Sequence, residues 1–302
     1  MWFLERIKYL FLKNNLMERT LAYVMGTGTL SGAFTAGSSI VIGEHREKIE
    51  KGFTKVRAYA TSVGVFSAAY LLSGQYKKVE RFWRNCVGGR QLIDPTFRNI
   101  LKRQALKLEY LEDSFGSGES RLNLDALFGN GQDIIFVVTD LKTGKPIYIT
   151  PNRDNIFKLM SAACSLPFVR KSIQCGGFSY IDGGLTDPLP IKRALDDGCD
   201  RVIAIYNYPE DHSRCRRYHL CLEKSVGALY LMYPETARLI RNHQEILRRA
   251  LEEVINDPRV TIIRPSEPLP LKSNTDTSSF RIGLTVEEGK KQAEKTLAKM
   301  IK

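Results

Sequence analysis

The stretch "ATSVG" (60–64) places Ser62 where the apolar run "KVRAYA" gives way to the small-residue helical pattern "VGVFSAAYLL". In a strand-turn-helix elbow the serine is pushed out of the turn, and the residues two before and two after it must be small because strand and helix crowd there. Ala60 and Gly64 meet that requirement. Ser62 is therefore a candidate nucleophile, although a serine at a helix boundary can equally serve as an N-cap. A nucleophile needs a base within hydrogen-bond reach. None of the histidines suits that role: His45 lies in the charged segment "GEHREKIEKG", His212 and His219 in a basic loop, and His243 on a polar helix face. The best candidate is Asp182 in "FSYIDGGLTDPLP" (178–190), where an apolar strand ends in a carboxylate followed at once by Gly183 and Gly184. Aspartates in such loops also make ordinary turns, and Asp187, before Pro188, reads as a turn residue of that kind.

A third stretch, "MGTGTLSGAFTAG" (25–37), follows the first apolar run. Glycines at 26, 28 and 32 let the backbone turn tightly and aim N–H groups at an anion near a helix start. The spacing departs from the G-x-G-x-x-G fingerprint, and the next strand ends at Ala60 without an acid to hold a ribose, which argues against a dinucleotide site.

These residues must be positioned by an alternation of short strands and helices. Strands are predicted at 20–25, 55–60, 133–140, 146–150, 178–182, 201–207 and 259–265, and helical patterns at 63–72, 77–85, 154–164, 190–197 and 234–256. Such alternation argues for an α/β sheet with helices on both faces. Thr143-Gly144 is a turn signal joining two of the strands as a hairpin. Thr285 and Glu288 have the spacing of a capping box opening a last helix, and 265–280 reads as an irregular loop. No linker interrupts the pattern, so one domain is expected over 19–302, preceded by an amphipathic segment over 1–18.

Of the 302 residues, 43% are apolar, as in an ordinary globular protein, and no run reaches the roughly 18 apolar residues of a membrane span. The start, "MWFLERIKYLFLKNN", is interrupted by Glu5, Arg6, Lys8 and Lys13 and lacks a small-residue cleavage site, so a secretory signal is not expected. On a helical wheel Phe3, Ile7, Leu10 and Phe11 fall near one face, the pattern of an interfacial anchor or of a helix packed on the protein's own core. The six cysteines show no metal-ligand spacing, and free thiols in a reducing cytoplasm are expected. A net charge of +12 suits an anionic neighbour, nucleic acid or acidic lipid, or is simply a solvated basic face. No helix-turn-helix, zinc-finger or RNP motif accompanies it, so nucleic acid is not the expected partner.

In this order, the Gly-rich loop, the elbow serine and D-G-G resemble the patatin-like phospholipases from about residue 20 to 207. "FKLMSAACSLPF" (157–168) and "GGFSYIDGGLTDPLPIKRALDDGCDRVIAIYN" (176–207) look like that family's segment around its aspartate, and "GAFTAG" (32–37) like the helix after its oxyanion loop. The C-terminal "LTVEEGKKQAEKTLAKM" is similar to a bacterial branch. The resemblance implies a three-layer α/β/α sandwich with a mostly parallel sheet, and a lipid acyl hydrolase that works through an acyl-enzyme without metal or other cofactor. Carried over by residue, Ser62 is the nucleophile and Asp182 the base. Backbone N–H groups of Gly28, Thr29 and Leu30 hold the oxyanion, with Val63 a further donor by analogy with other elbows. Ala60, Gly64, Gly32, Gly183 and Gly184 support the motifs. Membrane phospholipids or other acyl-ester lipids would be the substrates of a cytoplasmic protein in peripheral contact with the inner membrane face.

The sequence departs from the family's G-G-G-x-R-G loop, which aligns with Thr27, Gly28, Thr29, Leu30, Ser31 and Gly32. If position 29 requires a positive φ, a β-branched residue there costs about 1–3 kcal/mol. The competing expectation is accordingly a patatin-fold protein that binds lipid or a partner without turnover.

Overall fold

The structure, a computed structural model, describes residues 18–87, 114–167, 170–210, 232–273 and 276–302, with Asp94, Arg98, Asn99, Lys102, Lys107 and Tyr110 between. Apart from Glu18, the amphipathic segment expected over 1–18 lies outside the described residues, as do His212 and His219.

The strand β1 (Thr20–Met25) is buried at every position, as a strand covered on both faces must be. Its residues divide between two cores. Leu21, Tyr23 and Met25 face one that includes Phe34 and Ala36 of α1 (Gly32–Glu44) and Val65 and Phe66 of α2, which follows β2 (Lys55–Thr61) and spans Gly64–Leu72. Ala22 and Val24 face the other. The first of these helices is buried from Gly32 to Gly43, and such a helix needs cover on its outer side. A long C-terminal helix provides it, and Ser38 Oγ donates to Gly289 O across the contact at 3.1 Å.

Along the chain there follow β3 (Asp133–Asp140), β4 (Pro146–Ile149), α3 (Ile156–Ala163), β5 (Ile173–Cys175), β6 (Phe178–Asp182), α4 (Ile191–Asp196), β7 (Arg201–Ile205), α5 (Pro234–Arg241), α6 (His243–Glu252), β8 (Val260–Ile263) and that last helix, α7 (Ser279–Ile301). The strands form one sheet in the order β5-β6-β3-β2-β1-β7-β8, with β4 paired to β3. The run β3-β2-β1-β7-β8 is parallel, and β4, β5 and β6 pair antiparallel at one side. Ile191 and Ala194 of α4 and Leu247 and Leu251 of α6 pack on the second face. The result is the three-layer α/β/α arrangement with a mostly parallel central sheet.

The predicted hairpin is β3-β4, with Gly144 at φ 62° in its turn. Two local expectations are corrected, and one short strand goes unpredicted. The helical pattern over 234–256 is broken at Asn242 into α5 and α6. The last helix starts before the expected capping box: Ser278 Oγ accepts the Arg281 N–H, while Thr285 is buried within the helix and donates to Arg281 O at 2.9 Å. A serine before the apolar positions Ile282 and Val286 was thus the true start signal, hidden at the end of a Ser/Thr-rich run. Strand β5 has only three residues, too few for alternation to register.

Register explains how the sheet gathers the candidate residues. A strand has two hydrogen-bonding edges. On β3, β2 pairs with Asp133–Val137 and β4 with Phe136–Thr139, so these two overlap and occupy opposite edges. Strand β6 pairs with Val138–Asp140, overlapping β4, and therefore continues the edge that β2 vacates. Running antiparallel to β3, β6 meets β2 end to end. Thr61 stands opposite Val137 and Asp182 opposite Val138.

Candidate active site

Strand β1 has parallel neighbours on both sides, β2 and β7, and in open α/β sheets the crevice beyond the carboxyl ends of strands at such a switch point is where ligands bind. The Gly-rich turn leaves the carboxyl end of β1 and the Ser62 turn that of β2.

Ser62 has φ 54°, one of two non-glycine residues in the left-handed region among the described residues. Its side chain does not cap α2: the N-cap is Val63, and no side-chain bond caps that helix. Instead Ser62 Oγ donates to Asp182 Oδ2 at 2.7 Å, and both residues are buried. The turn is this tight because Gly64 lies on the end of β1. A Cβ at Gly64 would come within 2.5 Å of Met25 O, closer than any side chain tolerates. Ala60 is fully buried beneath the turn.

Asp182 is held from several directions. Gly184 N–H donates to Oδ1 at 2.8 Å, which orients the carboxylate and leaves Oδ2 to Ser62. Its own N–H reaches Ser165 O at 3.0 Å, and its carbonyl accepts Thr139 Oγ1 at 2.9 Å. Gly183 has no room for a side chain, since a Cβ would lie 2.1 Å from Val137 O. Burial pushes the Asp182 carboxyl up to about 7, against the opposing pull of the Gly184 N–H and the Ser62 hydroxyl. Cys164 is also buried, its thiol driven up by that burial and by the Asp182 charge.

In the Gly-rich turn, Gly26 N–H donates to Ile205 O, Thr27 N–H to Pro188 O and Ser31 N–H to Gly28 O. The N–H groups of Gly28, Thr29 and Leu30 make none of these backbone bonds. Thr29 is the second non-glycine residue with positive φ, at 47°. The turn closes as a 3-10 segment over Thr29–Ser31, and α1 opens at Gly32, which packs against Val63 and Trp83. Gly184 abuts the Thr27 side chain, joining the D-G-G segment to the Gly-rich turn.

Two residues escaped the sequence reading. Asn207, two residues beyond the end of β7, is 1% exposed and donates through Nδ2 to Thr27 O at 3.0 Å. It ended a predicted strand, and nothing in its sequence neighbourhood marks it. Asp187 is more than a turn residue: its carbonyl accepts Thr61 Oγ1 at 3.0 Å, and its Oδ2 accepts Tyr148 OH at 2.7 Å. Burial raises its carboxyl above the ordinary range. Among the described residues, no group of three or more His, Cys, Asp or Glu could hold a metal ion, and no helix is long and apolar enough to cross a membrane.

The fold and these turns place the chain in a known class. The patatin-like phospholipase family matches over residues 26–195, more than half of the chain, and the protein belongs to that family. The chain is 24% identical over 258 residues to the uncharacterized protein YjjU of Escherichia coli (strain K12), covering 82% of this chain and 69% of that one. It is also similar to the crystal structure of VipD from Legionella pneumophila, with a TM-score of 0.46 and 12% identity over 93% of this chain and 67% of that one. Family membership supports lipid hydrolase activity in general.

Proposed function

We propose that this protein is a serine acyl hydrolase that cleaves lipid esters with Ser62 and Asp182 as a catalytic pair. The observation that carries the proposal is the 2.7 Å bond from Ser62 Oγ to Asp182 Oδ2 at a serine held in the left-handed region. A buried carboxylate with its pKa near 7 is a competent base at neutral pH. In the first step Ser62 Oγ attacks the ester carbonyl carbon while its proton passes to Asp182 Oδ2. Backbone N–H groups of Gly28, Thr29 and Leu30, with that of Val63 as a further donor, receive the charge on the carbonyl oxygen. The carbon–oxygen bond to the alcohol then breaks, the alcohol leaves with the proton from Asp182, and the acyl group stays on Ser62. Water next attacks the acyl carbonyl as Asp182 takes its proton. Collapse expels Ser62 Oγ, which recovers that proton as the fatty acid departs.

The substrates are phospholipids or related acyl-ester lipids. The net charge of +12 favours docking to anionic membrane surfaces such as the cytoplasmic leaflet. The test is hydrolysis of a p-nitrophenyl ester series by wild type, Ser62→Ala and Asp182→Asn, each checked for folding by circular dichroism. Turnover in wild type and background rates in both variants are expected. A folded wild type that matches both variants would replace this proposal with lipid or partner binding without turnover.

A further inference from the structure

Thr29 holds a backbone conformation that its own side chain does nothing to stabilise. A β-branched residue at φ 47° is strained, and strain of this kind persists only where surrounding structure over-determines it. The Thr29 hydroxyl is buried without a hydrogen-bond partner among the described residues, so the constraint comes from neighbours. Ser31 Oγ and Ser31 N–H both donate to Gly28 O, at 2.5 and 2.9 Å. On the other side stands Asn207. Its Nδ2 donates to Thr27 O at 3.0 Å and approaches Gly26 O at 3.5 Å, and it sits so close to Gly28 that a Cβ there would lie 2.5 Å away. Backbone carbonyls can only accept, so the amide nitrogen must face the turn and the amide oxygen must face away. Thr35 Oγ1, on α1, donates to that oxygen at 2.8 Å and fixes the orientation.

We infer that Asn207 is a positioning residue for the hydrolysis, clamping the Gly26–Ser31 turn so that Thr29 keeps its left-handed conformation and the N–H groups of Gly28, Thr29 and Leu30 stay aimed at the reacting carbonyl oxygen. The inference rests on the proposed acyl hydrolase activity. It explains how a loop with threonine where the G-G-G-x-R-G pattern has glycine keeps its shape: a side chain two residues beyond β7 supplies from outside the restraint that the local sequence opposes. Asn207 touches no substrate and moves no proton.

The test measures kcat and KM on a p-nitrophenyl ester for wild type, Asn207→Asp, Thr29→Gly, the double variant and Ser62→Ala. Asn207→Asp keeps the shape but loses the donor. It is expected to lower kcat by about 100-fold, the scale of misplaced catalytic groups, with KM nearly unchanged. Adding Thr29→Gly is expected to restore most of that loss, because glycine adopts a positive φ without a clamp. A wild-type kcat in Asn207→Asp beside an inactive Ser62→Ala would overturn the inference and leave the proposed activity standing. A loss that Thr29→Gly does not restore would also overturn it, since a side chain that only supports the fold predicts no such rescue. A wild type no faster than Ser62→Ala would defeat the proposed activity itself, and the inference with it. Should Asn207→Asp fail to fold, Thr35→Val makes a milder cut one bond further out, with a smaller kcat loss expected and the same rescue by Thr29→Gly; an unchanged kcat or an unrescued loss there overturns the inference as well.

Discussion

The turns after β1 and β2 lie side by side, and each holds one non-glycine residue in the left-handed region, Thr29 at φ 47° and Ser62 at φ 54°. They are held by different means. Ser62 is anchored by its own hydroxyl, bonded to Asp182, and by the absence of a side chain at Gly64. Thr29 contributes no bond from its hydroxyl and is held by Ser31 and Asn207. The difference teaches that strain can be fixed by the very group it presents, or imposed from elsewhere on a residue whose backbone alone matters. In the first case the residue type is the function. In the second the residue type is an obstacle that the scaffold overcomes.

The sharpest way to break this comparison is at Ser62. Ser62→Ala is expected to reduce ester hydrolysis to background, a drop of at least about 1,000-fold, and to abolish labelling by a fluorophosphonate probe; residual labelling at another serine would relocate the nucleophile. Gly64→Ala should act nearly as strongly from the other side of the turn, because the added methyl meets Met25 O. Its expected signature is lost activity together with a lowered Tm.

Acidity gives the next effect. With the Asp182 carboxyl near 7 in the folded chain, kcat/KM should rise as pH passes upward through about 7 and level off above it. The same group makes stability depend on pH in the opposite sense. Its folded pKa is above the unfolded value of about 4, so the folded state binds the extra proton between those values, and stability falls as pH rises from about 4 to 7. Asp182→Asn should therefore be inactive yet have a higher Tm than wild type at pH 8, with the difference shrinking toward pH 4. A flat Tm difference across that range would contradict the buried, ionised carboxylate.

The smaller effects sharpen the contrast at Thr29. Thr29→Gly relieves strain, less the entropy that glycine loses on folding, for a net gain of about 1 kcal/mol, readable as a Tm rise of a few degrees. An unchanged or lowered Tm would mean that Thr29 bears no strain. Smallest is the membrane term: binding to anionic vesicles should exceed binding to neutral ones and weaken after deletion of residues 1–16. Equal co-sedimentation with both vesicle types would remove the electrostatic contribution.

Much of this was legible in the sequence because the signals are local. Apolar runs bounded by turn residues located the central strands, and Ala60, Ser62 and Gly64 announced a crowded turn by their sizes and spacing. Asp182 could be picked out because a strand ends in it and two glycines follow. What was not legible depends on contacts between distant segments. Asn207 is an ordinary polar residue after a strand until the sheet brings it to Thr27 and Thr35. Asp187 looked like a turn former because its partners, Tyr148 and Thr61, come from other strands. The start of α7 is not legible locally because Ser278 and Thr285 offer equivalent local chemistry, and only packing of Ile282 and Val286 decides between them.

The shared edge of β3 makes that strand a common datum from which the positions of Ser62 and Asp182 are both measured. The length of chain between Leu72 and Asp133 therefore does not itself set the spacing of the pair, although Phe82, Trp83 and Phe115 within it belong to the core that supports β3. A single-residue deletion inside β3 is another matter: it would slide β6 by about 3.3 Å relative to β2 and carry the carboxylate out of reach of the hydroxyl. The spacing of the pair is thus indifferent to the length of chain that precedes β3 and sensitive to the length of the strand itself.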